Sequence, residues 1–155
     1  MKEVYKGLWV GDDGDVDKAR EKNWIILHCC KDGDYSHRSL LKYETQAAPK
    51  GDEYLVAKRG REMYLNLIDP ETDKLVSSEA VDAGIKFARD HLEKGDHVLV
   101  HCNQGNSRGP SVAMLLLYEL GKLPSRSAFS SFRRLYPMYA PSNGMKIFVR
   151  KRLQI

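Results

Sequence analysis

Cysteine is scarce: three in 155 residues, two of them adjacent at Cys29 and Cys30. That is too few to staple a chain of this size, so a reduced, cytoplasmic setting is expected. Long apolar runs are missing as well. The longest, VAMLLLY at 112–118, falls far short of the roughly 20 residues a membrane-spanning helix needs, and the opening MKEVYKG lacks the apolar stretch of a secretory leader. Neither a membrane partner nor export is therefore expected. Repeats and low-complexity segments are absent. No charge of one sign dominates, since 25 Lys and Arg stand against 21 Asp and Glu for a net charge of +4. The basic clusters at Lys58, Arg59 and Arg61, at Arg133 and Arg134, and at Arg150, Lys151 and Arg152 read as solvated faces. No nucleic-acid partner is expected, and such mild positive charge suits a small anionic group better.

What remains is a balanced globular composition, 42% hydrophobic and 30% charged, long enough for one domain over 1–155 with a hydrophobic core. YKGLWVG (5–11) reads as a strand and DVDKAREKN (15–23) as a helix with acidic residues toward its N-terminal end. The continuous apolar run WIILHC (24–29) is the mark of a strand covered on both faces. A polar stretch over about 31–62 carries no periodic pattern and reads as an insertion, a hairpin or a long loop. MYLNLID (63–69) is another strand. Val81, Ile85, Ala88 and Leu92 then share one face of a helix over 77–94, stopped by Gly95. HVLVH (97–101) is a short strand, Pro110 suits the first turn of a helix running to Gly121, and helices over about 125–135 and 142–153 complete the chain. Strands alternating with helices predict an α/β fold, a central, mostly parallel sheet flanked by helices.

Between the strand at 97–101 and the next helix lies HCNQGNSRGP (101–110). A loop in this position can turn the amides of Asn103, Gln104, Gly105, Asn106, Ser107 and Arg108 around one small space, which the positive end of the helix makes an anion site. Gly105 permits the tight curvature, and the planar fork of Arg108 can meet two oxygens of a phosphate at once. The same field acts on Cys102. Thiols at helix N-termini beside cations titrate at roughly 3.5 to 7.5 instead of about 8.5, so a thiolate at neutral pH is expected. Facing a phosphorus atom whose oxygens are held, it is set for in-line displacement. The leaving oxygen needs a proton. Asp69, at the end of the 63–69 strand and followed by Pro70, is the candidate acid, with Asp73 as its rival.

These residues resemble the cysteine-dependent protein phosphatases, in their compact dual-specificity branch. HCNQGNSR matches the family pattern H-C-x-x-G-x-x-R, YLNLIDPETD looks like the general-acid loop, and PSNG (141–144) is a further point of likeness. The resemblance implies a sheet flanked by helices and hydrolysis of phosphomonoesters on phosphoproteins with no metal or other cofactor. It makes Cys102 the nucleophile, Arg108 the phosphate clamp and Asp69 the acid and then base. His101 would sit behind the thiolate and orient the loop, and Asn143 would brace that loop from the last helix. One departure stands out. The family usually has Ser or Thr after the arginine, to stabilise the departing thiolate, and this chain has Gly109.

Two alternatives follow. A chain without that hydroxyl could read phosphate as a binding module without turning it over. A rhodanese-like or arsenate-reducing enzyme also uses a cysteine loop, but leaves Asp69 unexplained. Cys29 and Cys30, with His28 and His37, match no zinc spacing, so no metal is expected. Parallel strands would instead bring Cys29 or Cys30 to the sheet edge that carries Cys102, close enough to trap its oxidised form as a disulfide.

Overall fold

A computed structural model describes all 155 residues. Six short segments build one sheet: β1 (Lys2–Tyr5), β2 (Leu8–Gly11), β3 (Ile25–His28), β4 (Val56–Arg59), β5 (Glu62–Leu65) and β6 (Val98–His101). Their order in space is β1-β2-β6-β3-β5-β4. The four central strands run parallel, and each edge strand is the antiparallel partner of its neighbour. The helices are α1 (Val16–Glu21), α2 (His37–Leu41), α3 (Ser78–Glu93), α4 (Arg108–Glu119), α5 (Ala128–Leu135) and α6 (Asn143–Leu153). The expected mostly parallel sheet with flanking helices is the fold the chain adopts, and none of its helices is long and apolar enough to cross a membrane.

The apolar run at β3 is buried on both faces because successive side chains point to opposite sides. Ile25 and Leu27 join a cluster of 33 buried residues that includes Ala88 of α3, Leu116 of α4 and Met145 of α6. Ile26 and Leu99 join Val16 and Ala19, from α1, in a cluster of 4 buried residues, with Met1, Trp9, Trp24 and Tyr35 packed against it. The core therefore lies mainly on the α3, α4 and α6 side.

Helix starts differ in a way that matters below. Ser77 and Ser142 cap α3 and α6 by accepting from Ala80 N and Met145 N, whereas α4 begins at Arg108 with no side-chain cap, its first-turn amides left open.

Three readings shift. The strand expected over 5–11 is a hairpin, β1 and β2 joined by a turn at Lys6 and Gly7. The polar stretch holds α2, begun by a reciprocal Ser36–Ser39 capping box, and the edge strand β4, which forms a hairpin with β5. The strand expected over 63–69 ends at Leu65, and residues 66–70 leave the sheet as a loop.

Candidate active site

Gly11, His101 and His28 stand in line across the sheet, with Tyr64 beside His28. Parallel strands thus release Asp13, Cys102, Cys29, Cys30 and the Leu67–Asp69 loop at one edge, where α/β folds place their sites.

Cys102 follows β6 and is 2% exposed. The loop after it is held by its carbonyls: Asn103 O accepts from Asp13 N at 3.2 Å, Asn106 O from Ala140 N at 2.7 Å, and Gly105 O from the Tyr136 hydroxyl at 2.6 Å. Burial pushes Tyr136 up to about 12, and the neighbouring Cys102 adds to the shift, so this donor keeps its proton. The amides of Asn103 to Ser107 find no acceptor in the protein. Gly105 has a φ of +76°, and a Cβ there would stand 2.9 Å from the Gly11 carbonyl oxygen, so only glycine closes this curve.

Arg108 spans the mouth. Its Nη1 donates to Leu67 O at 3.1 Å and its Nη2 to Asn103 Oδ1 at 2.6 Å, while its Nε is buried with no partner. A buried guanidinium N–H left unpaired is costly, and an oxyanion in the pocket would satisfy it. That pocket holds about 250 Å³; apart from Asp69, Cys102 and Arg108 its walls are the neutral Asn103, Gln104, Asn106 and Ser107.

Asp69 lies in the same pocket, and its Oδ1 accepts from Ser107 Oγ at 2.6 Å. Ser107 Oγ in turn accepts from Ser142 N at 2.9 Å, and Pro70 O accepts from Gly144 N at 3.0 Å. The start of α6 therefore carries the Asp69 loop. Asn143 does not touch the phosphate loop: its side-chain amide donates to Glu71 O at 3.2 Å, because this first residue of α6 faces the 69–72 segment. The backbone of Ser142 makes the link expected of Asn143. Asp73, the rival acid, is drawn into a 3-10 turn and pairs with Lys151 at 2.7 Å, outside the pocket.

Behind Cys102 runs a buried polar chain. His101 Nδ1 lies 3.2 Å from Cys102 O, His101 Nε2 lies 2.5 Å from His28 Nδ1, and His28 Nε2 lies 2.7 Å from Glu62 Oε1. Arg20 Nη2 closes the chain on Glu62 at 2.8 Å. Burial lowers His28 to about 4. Burial alone would raise Glu62, but hydrogen bonds from His28 and Arg20 outweigh it and hold the carboxyl near 2. Sequence reasoning missed this chain, although both apolar runs end in the same pair, His28-Cys29 and His101-Cys102.

The three thiols are free and buried. Burial raises Cys29 well above its ordinary value and pushes Cys30 up to about 12. Cys29 N donates to His101 O at 2.9 Å, which sets Cys29 beside Cys102 at the strand ends.

Gly109 sits in a tight space. A Cβ there would lie 3.0 Å from the His101 carbonyl carbon and 3.2 Å from Cys102 N, close enough that the backbone would have to give by a few tenths of an ångström. Nearby hydroxyls do not replace the missing one: Ser111 Oγ is bonded to the Tyr139 hydroxyl at 2.8 Å, and Ser107 is committed to Asp69.

No protein-family model matches the chain, and no curated protein matches it significantly. Solved structures do. Human DUSP28 superposes with a TM-score of 0.69 at 15% identity, over 99% of this chain and 96% of its own. A leucine rich repeat and phosphatase domain containing protein from Entamoeba histolytica gives 0.68 at 14%, over 99% and 90%. The human tyrosine phosphatase-like serine/threonine/tyrosine-interacting protein gives 0.66 at 16%, over 97% and 93%. Superposition over nearly the whole of this chain and of each neighbour makes this the fold of the compact dual-specificity phosphatases.

Proposed function

We propose that the chain hydrolyses phosphomonoesters of phosphoproteins, on phosphotyrosine and on phosphoserine or phosphothreonine, through a cysteinyl-phosphate intermediate. The observation that carries this reading is the buried, unpartnered Nε of Arg108 beside a loop whose amides also lack acceptors, both at the rim of Cys102. Donors fixed in place without acceptors are what a phosphoryl group with developing charge requires.

In the first step Cys102 Sγ bonds to phosphorus as the bond to the leaving oxygen breaks, and Asp69 gives that oxygen its proton. In the second, water attacks the phosphorus, Asp69 takes the water's proton, and the thiolate departs. Loop amides and Arg108 hold the equatorial oxygens throughout. Neutral walls beyond Arg108 match one phosphate and offer nothing to a polyphosphorylated group. The test is release of nitrophenol from para-nitrophenyl phosphate. Cys102→Ser is expected to lower it at least about 10⁴-fold, since loss of a covalent nucleophile typically costs more than that; turnover that survives would refute the reading.

Gly109 favours a second reading, a phosphate-binding module whose thiophosphate is cleaved slowly or not at all. Two variants separate the contributions. Gly109→Ala adds only the crowding against His101, and Gly109→Ser adds crowding and a hydroxyl. If thiolate departure limits turnover, a burst precedes the steady state and the Ser variant turns over on the order of tenfold faster than the Ala variant, the worth of one hydrogen bond to a charged group. Equal rates and no burst contradict this.

A further inference from the structure

The strands that deliver the catalytic loop deliver a second set of polar groups, which the proposed reaction does not use. Asp13 follows β2, Cys30 follows β3 and His101 ends β6, and one ligand atom from each lies within 4.8 Å of the other two. Asp13 Oδ1 is buried without a hydrogen-bond partner, 3.4 Å from His101 Nδ1. An imidazole chain backs His101. A carboxylate only accepts, so His28 Nε2 donates to Glu62 Oε1. His28 Nδ1 lies 2.5 Å from His101 Nε2 and so ties the His101 ring to Glu62. His101 Nδ1 faces two acceptors at the strand ends, Cys102 O at 3.2 Å and Asp13 Oδ1 at 3.4 Å, and a metal ion would take the place of the proton between them. The Cys30 thiol donates to Tyr35 O at 3.3 Å.

We infer that Asp13, Cys30 and His101 form a zinc site. One carboxylate oxygen, one thiolate and one imidazole nitrogen are a borderline-soft set that suits Zn²⁺ in tetrahedral geometry. With metal–ligand bonds of about 2.0 Å the edge of such a tetrahedron is about 3.3 Å, close to the separation of His101 Nδ1 and Asp13 Oδ1. Asp13 is 29% exposed, which provides the entry path and a position for water as fourth ligand. Glu62 and His28 give the ligand histidine the outer support that fixes its tautomer. Adjacent cysteines make a poor zinc motif by spacing alone, but only Cys30 is needed once three strand ends supply the set.

The site reaches the catalytic loop. Asp13 Oδ2 accepts from Asn103 Nδ2 at 3.3 Å, and Asn103 Oδ1 holds Arg108 Nη2 at 2.6 Å. An ion on Asp13 therefore steadies the arginine clamp through two links. Its binding stands on its own ligands and does not depend on the hydrolytic reading.

The test uses the full chain as Cys102→Ser, so that the catalytic thiol cannot contribute, stripped of metal and titrated with Co²⁺. One equivalent is expected to bind with tetrahedral visible bands and a thiolate-to-cobalt charge-transfer band, to release the Cys30 proton, to raise the melting temperature and to be displaced by Zn²⁺. Adding Cys30→Ser abolishes the charge-transfer band. Adding Asp13→Asn keeps that band but weakens affinity by at least the roughly 10- to 100-fold that loss of an outer partner alone costs. Absence of a one-equivalent site, a charge-transfer band that survives Cys30→Ser, or an affinity unmoved by Asp13→Asn would overturn the proposal.

Discussion

The two sides of His101 carry opposite unmet demands. Toward α4 lie donors without acceptors, the Asn103–Ser107 amides and Arg108 Nε. Toward β2 and β3 lies an acceptor without a donor, Asp13 Oδ1. Both sets hang from the ends of neighbouring parallel strands, so the sheet sets position and not sign. Sign comes from the connections: after β6 the chain turns its carbonyls outward and starts an uncapped helix, while after β2 and β3 it places acidic and thiol side chains at the edge. One edge can thus hold an anion and a cation within two hydrogen bonds of each other.

Breaking the donor side has the largest expected effect. Arg108→Lys keeps the charge but loses the fork that reaches Leu67, Asn103 and the pocket together, and kcat/KM for a phosphopeptide is expected to fall on the order of 10²- to 10³-fold. A loss below fivefold would mean that charge alone suffices. Asp69→Asn comes next, at about 10²-fold in kcat for a phosphoserine peptide. The loss should be much smaller for para-nitrophenyl phosphate, whose leaving group needs little help, and the alkaline fall of the pH profile should disappear. Equal losses on both substrates would remove Asp69 as the acid.

The last change is in stability and not in rate, and concerns the chain behind His101. Glu62 titrates near 2 in the folded protein against an ordinary 4.5. Its contribution is therefore fully present above pH 4.5 and is lost as the pH falls toward 2. It amounts to on the order of 3 kcal/mol. Glu62→Gln should lower stability in denaturant at pH 7 and flatten the acid slope between those values. An unchanged slope would show that the carboxylate is not held by His28 and Arg20.

The cysteine loop was legible because its demands are local: a strand, one thiol, a glycine that must curve and an arginine at a helix start leave a mark in ten consecutive residues. The α/β order was legible for the same reason, in the apolar run of β3 and the one-sided face of α3. The segment over 31–62 was not. Its edge strand reads Val56-Ala57-Lys58-Arg59, half exposed and charged, as an edge strand is when it must not pair further. Its helix α2 is one short turn set by the Ser36–Ser39 box. What supports the site was hidden for another reason. Ser142 on Ser107, Tyr136 on Gly105 and Asp13 beside His101 join residues far apart in sequence, and no local pattern predicts such pairs. Asn143 was misplaced by one residue, because a helix N-terminus acts through its backbone as readily as through a side chain.

The central claim is that the donors around Cys102 form a cradle for a tetrahedral oxyanion, and a crystal soaked with tungstate tests it most directly. The account predicts one tungstate over Cys102 Sγ, its oxygens taking the amides of the Asn103–Ser107 loop and both Nε and an Nη of Arg108. A clear map with that cradle unfilled, or tungstate bound elsewhere with Arg108 Nε still unpaired, would contradict it.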